Sequence, residues 1–87
     1  MKLSWKTLDK LNSSQDIYKA LLKKGIKGCR GNESDCPLAV ATGYTVYRSS
    51  AQRGPEIRRL TDAEGDFVDR FDQGEYPELD KNFEGLT

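Results

Sequence analysis

Residues 25–41 read Gly25-Ile26-Lys27-Gly28-Cys29-Arg30-Gly31-Asn32-Glu33-Ser34-Asp35-Cys36-Pro37-Leu38-Ala39-Val40-Ala41, and this stretch decides the fold because it gathers three glycines and both cysteines. Gly25 stands where an amphipathic helix should stop, and Gly28 and Gly31 open backbone angles closed to other residues. Ser34 or Asp35 is placed to cap a new helix that starts near Cys36-Pro37. The sequence therefore predicts a tight, shaped loop between two helices.

Upstream of the loop, Ser13 or Ser14 opens a helix that runs to Lys24, with Ile17, Leu21 and Leu22 on one stripe and Ala20 and Tyr18 beside it. Lys19, Lys23 and Lys24 load its last turns with the charge that suits the negative end of the helix dipole. Ile26 is placed to fold back on Leu21, as the contact of a Schellman motif requires. Residues 1–12 read as an arm or a short helix, with Ser4 as cap and Trp5 as a large apolar body.

Downstream, Pro37 to Thr42 makes one or two helical turns that Gly43 ends. The period then changes: Tyr44 to Arg48 is β-branched, aromatic and alternating, which predicts a strand. Residues 49–56 read as a turn-forming loop, and Ile57 to Leu60 as an edge strand returning against the first, so a two-stranded β-hairpin is expected. Thr61-Asp62-Ala63-Glu64 is a capping box, and the helix it opens carries Ala63, Phe67, Val68 and Phe71 on one face before Gly74 stops it. Pro77 leads into a tail, residues 77–87, whose Leu79, Phe83 and Leu86 either dock on the domain or fray with a partly disordered end.

The fold expected is one α+β domain over residues 1–87: helix, short helix, two-stranded β-hairpin and C-terminal helix, with an N-terminal arm and a C-terminal tail. Helices must cover one face of so small a sheet. The expected core is Trp5, Leu8, Ile17, Leu21, Ile26, Leu38, Val46, Leu60, Phe67, Val68 and Phe71. With 36% hydrophobic and 32% charged residues the chain is polar for a globular protein, but not of disordered composition. The start M-K-L-S-W-K lacks the apolar core of a signal peptide and no apolar run approaches the length of a membrane span, so a cytoplasmic protein is expected.

The motifs S-W-K-T-L from Ser4, G-I-K-G-C-R-G followed by C-P-L-A, and D-F-V-D-R-F-D-Q-G-E-Y-P-E-L resemble those of small uncharacterised proteins of actinobacteria and of the phages that infect them. The resemblance spans Ser4 to Leu79, and the family has no assigned activity from which a functional residue could be carried over. It implies a phage accessory protein that acts on a host component.

Cys29 and Cys36 could hold zinc only with Asp or Glu as further ligands, since the chain has no histidine. In a cytoplasmic protein they read as reduced thiols without metal, and without a base neither reads as a nucleophile. No motif calls for a cofactor, and no enzyme is expected.

Formal charge is zero overall but steeply graded. Residues 1–30 carry eight Lys/Arg against two acids, and residues 61–87 carry nine acids against two bases. The simplest reading is that the two ends of the fold compensate one another. The functional reading sets a basic face (Lys23, Lys27, Arg30, Arg48, Arg53, Arg58, Arg59) against an acidic one (Asp62, Asp66, Asp69, Asp72). The basic residues with Tyr44 and Tyr47 would suit a nucleic-acid platform, with phosphates on the charges and bases on the rings. The acidic helix would suit a partner with a basic groove. The leading expectation is a non-enzymatic binding module with a protein partner, and a nucleic-acid-binding protein using the basic first helix and the hairpin is the alternative.

Overall fold

The computed structural model describes residues 3–80. Four helices and a three-stranded antiparallel sheet follow in the order α1 (Trp5–Asp9), α2 (Ser14–Lys24), α3 (Pro37–Thr42), β1 (Thr45–Val46), β2 (Ser50–Arg53), β3 (Glu56–Arg59) and α4 (Asp62–Asp72). A 3-10 turn, Pro77–Leu79, closes the described chain. The radius of gyration, 11.8 Å, matches the about 12 Å of a compact chain this long.

Local chemistry sets the helix ends. The Ser13 hydroxyl accepts from the Asp16 N–H at the start of α2, and Gly25 ends it at φ 70°. The Gly25 and Ile26 N–H groups then donate to Leu22 and Leu21, which completes the Schellman motif the sequence predicts. In α4 both arms of the capping box form between Thr61 and Glu64. A second Schellman motif follows, with Gly74 and Glu75 donating to Phe71 and Arg70. The cap of α3 differs from expectation: Cys36, not Ser34 or Asp35, holds the N-cap, with no side-chain hydrogen bond. Proline within the first turn already lacks one of the N–H groups a cap would satisfy.

The sheet corrects the expected hairpin. Residues 49–56, read as loop, contain the central strand β2, which pairs with β1 through Thr45↔Gln52 and Val46↔Ala51 and with β3 from Ser50↔Arg59 to Arg53↔Glu56. Ser-Ala-Gln-Arg has no β-branched or aromatic residue to mark it as a strand. Burial of Ala51, fully hidden at the centre of the sheet, decides the matter instead.

Nine of the eleven expected core residues are buried; Trp5 and Leu60 pack against the core from its rim and stay half-exposed. Leu3 and Tyr76 join the core unforeseen, and Leu79 joins it from the tail. Leu3 is anchored by its N–H to the Ala41 carbonyl. Leu79 is fully buried, so the start of the expected tail is docked, whereas Phe83 and Leu86 lie outside the described residues. α2 packs along α4 and against the Pro77–Leu79 turn.

The glycine loop is where these parts meet. The Gly28 N–H donates to the Leu79 carbonyl at 2.8 Å, the Gly31 N–H to Asp72 Oδ1 at 3.1 Å, and the Val46 N–H to the Glu33 carbonyl at 2.8 Å. One stretch thus holds the C-terminal turn, the end of α4 and the first strand.

Candidate protein-binding face

Strand alternation sorts the sheet into two faces. Val46, Ala51 and Arg58 occupy one row and point toward the helices, with Val46 and Ala51 buried. The neighbouring row, Thr45, Gln52 and Ile57, points away from them. Ile57 is 69% exposed, and Tyr47, beyond the end of β1, is 38% exposed. Tyr47 lines a shallow depression with Thr45 and Gln52. Arg59 extends the outer row opposite Ser50. The open face therefore carries Ile57 on one edge strand and Tyr47 beyond the end of the other, with Gln52 on the strand between them and Arg59 at one end.

The expected basic face is divided by the fold. Arg58 turns inward: its guanidinium makes a bidentate pair with Asp9 (2.9 and 3.2 Å) and stacks 4.4 Å over the Trp5 ring. Arg48 leaves the turn after β1 and pairs with Asp69 at 3.1 Å. Arg30 donates twice to the Asp72 carbonyl, where it neutralises the C-terminal end of α4. Arg53 lies 5.7 Å over the Tyr44 ring. Lys23 and Lys27 are exposed at the end of α2 and just beyond it. Among the described residues no ion pair joins Arg53 or Arg59 to an acid.

The acidic face is equally committed. Asp66 accepts from Arg70 at 2.8 Å, and this partner holds its carboxyl below the usual range. Asp69 takes Arg48 and Gln73, and Asp72 takes the Gly31 N–H. Asp62 alone of the four is exposed at the first turn without such a bond among the described residues. The charge gradient is closed only in part: Arg30, Arg48 and Arg58 reach α4, and among the described residues no ion pair joins a lysine to an acid.

Tyr44 departs from the expected stacking role. It meets Trp5 edge to face at 5.6 Å and donates from its hydroxyl to Glu56 at 3.0 Å. That hydrogen bond, then burial, raises its phenol above the ordinary value. Cys36 is buried, and burial pushes its thiol up to about 11, so it stays protonated and unreactive at neutral pH. The largest cleft, between the start of α2 and α4, is walled by Tyr18 stacked on Tyr76, with Asp66, Arg70 and Glu75 tied to one another. Asp62 and Glu78 also line it.

Two features escaped the sequence reading. The sequence places Ile57 on an edge strand, but its outward direction depends on the register with β2. Glu64 was read only as half of a capping box, yet it shares the 64, 67, 68, 71 spacing of the buried stripe and is itself fully buried. That spacing was the available signal.

No protein-family model, curated protein or solved structure matches the chain. Among the described residues no helix is long and apolar enough to cross a membrane.

Proposed function

We propose that this domain is a non-enzymatic binding module that engages a protein partner through the open face of its sheet, with Ile57 and Tyr47 as anchors. The observation that carries the reading is Ile57, the most exposed large apolar side chain described, held within β3 on a face whose opposite edge ends in the exposed Tyr47. An aliphatic side chain offers a nucleobase no stacking surface, but it gains about 1.5–3 kcal/mol when a protein buries it. Aromatic and arginine side chains around such a centre are the usual anchors of protein interfaces, and Arg59 supplies the second kind. The motif resemblance favours a phage accessory role, with the partner a protein of the bacterial host.

The test uses the full chain and a Tyr47→Ala/Ile57→Asp variant as baits in actinobacterial lysate. Both changes sit on the solvent side of the sheet, so the variant should keep its circular dichroism and melting temperature. A protein captured by the wild type, resistant to salt and nuclease and lost from the variant, is the expected outcome. Nuclease-sensitive recovery would favour the nucleic-acid reading, and a protein retained by the variant would show that another face binds.

A further inference from the structure

Glu64 points inward from α4 with its side chain fully buried. Its Oε1 accepts from the Thr61 N–H at 2.9 Å, and its Oε2 is buried with no hydrogen-bond partner among the described residues. The charged groups facing it are Asp9 from α1 and Arg58 from β3.

Four of the five hydrogens of Arg58 are already assigned, and the fifth sits on NH1, not on the NH2 that lies nearest Glu64. Its NH1 donates to Asp9 Oδ2 at 3.2 Å and its Nε to the Arg59 carbonyl at 3.1 Å. The two hydrogens of NH2 go to Asp9 Oδ1 at 2.9 Å and the Arg59 carbonyl at 3.0 Å. Glu64 Oε1, 3.5 Å from the same NH2, therefore gains attraction from the cation but no hydrogen. Two carboxylates share one guanidinium, and the buried one is held less well. Ionised, Glu64 keeps an uncompensated charge out of water, which is the costlier state. A proton on Oε2 removes that charge and turns a partnerless acceptor into a donor beside the Asp9 carboxylate.

We propose that Asp9, Arg58 and Glu64 form a proton-operated latch joining α1, β3 and α4, closed while Glu64 holds a proton and loosened when the proton leaves. Burial first, then the hydrogen bond to Asp9, pushes the Glu64 carboxyl up to about 7 against the pull of the Thr61 N–H, with the Asp9 charge raising it further and Arg58 lowering it. Asp9 moves the other way: burial would raise it, but the hydrogen bonds with Arg58 and Glu64 and the Arg58 charge hold it below its ordinary value.

The signs follow from linkage. The folded chain holds the Glu64 proton more tightly than the unfolded chain, so this contribution to stability is complete below the ordinary carboxyl value of 4.5 and is lost as pH rises through about 7. The Asp9 contribution has the opposite sense, present above its ordinary value of 3.8 and lost as pH falls below it. Between those ranges the latch weakens as pH rises.

Trp5 is a built-in reporter, since it is the sole tryptophan, belongs to α1 and lies under Arg58. Trp5 emission and the denaturant midpoint of the full chain would be followed from mildly acidic to mildly alkaline pH. A one-proton transition near pH 7 is expected, with the midpoint falling as pH rises. Glu64→Gln keeps the acceptor for Thr61 and puts an amide donor in the proton's place, so it should abolish the transition. Asp9→Asn, by removing the neighbouring negative charge, should move the transition to lower pH. Carbon-13 titration of the Glu64 carboxyl in the wild-type chain gives the same answer without any variant. Titration of Glu64 near 4.5, a wild-type emission flat with pH, or a transition that persists in Glu64→Gln would overturn the latch.

Discussion

Gly28 and Gly31 stand three residues apart in one loop, yet they are glycines for different reasons. Gly31 has φ 70°, and a Cβ there would meet nothing within 4 Å, so only backbone strain opposes a side chain. Gly28 carries no positive φ; a Cβ there would collide with the Asp35 carbonyl oxygen and lie within 2.5 Å of Cys36 C and Pro37 N. Those obstacles are backbone and cannot rotate away. Gly31→Ala should therefore cost about 1–2 kcal/mol, and Gly28→Ala about 3 kcal/mol or more. Denaturant midpoints of the two variants would check the order, and equal losses would count against the close packing of the loop. The sequence reading gave both glycines the same role, because conformational freedom is a local property that composition displays. The need for space at Gly28 arises only when residue 28 meets residues 35–37. Glu64 teaches the same lesson from the other side: its helical spacing with Phe67 was visible, but its partners Asp9 and Arg58 come from elements far apart in the chain.

At the level of elements, the helices were legible and the sheet was half so. Helix α2 and helix α4 announce themselves through caps and stripes that lie within a dozen residues, and both form where expected. Strand β2 has no such local signature, since Ser50, Ala51, Gln52 and Arg53 become a strand by having a neighbour on each side. The glycine and proline that suggested a loop instead form the turn between β2 and β3. Gly54 takes φ 58°, and Pro55, whose ring fixes φ at a negative value, follows. A two-residue hairpin turn with its positive φ at the first central residue is what this pair provides. A Cβ at Gly54 would meet nothing within 4 Å, so Gly54→Ala isolates the strain. It should destabilise the domain by about 1–2 kcal/mol without changing the fold. A melting temperature unchanged within error would mean that this turn does not set the register of β2 and β3.

Over the whole molecule, the charge gradient visible in the sequence is only partly structural: among the described residues no ion pair joins a lysine to an acid, and the pairs that form are made by arginines. Arg30, Arg48 and Arg58 from the basic side reach Asp72, Asp69 and Glu64 on the acidic helix, and Arg70 is held within that helix and its C-terminal turn. What the sequence could not say was which charges would be consumed, because contacts such as Arg48–Asp69 and Arg58–Asp9, 21 and 49 residues apart, are fixed only by the assembled fold. Arg59 remains as an outward charge on the face that also bears Ile57, while Arg53 lies over the Tyr44 ring in the register of the opposite face. A nucleic-acid ligand would need several phosphate contacts, each releasing a counterion, and too few outward cations remain on this face to supply them. Duplex and single-stranded probes should therefore show no retention at micromolar protein in near-physiological salt. Replacing Arg53 and Arg59 by Ala should leave circular dichroism native and cost no more than about 1 kcal/mol for each exposed charge. Tight, salt-sensitive binding of either probe by the wild type, abolished in this double variant while its spectrum stays native, would reverse the ranking of protein over nucleic acid as the partner.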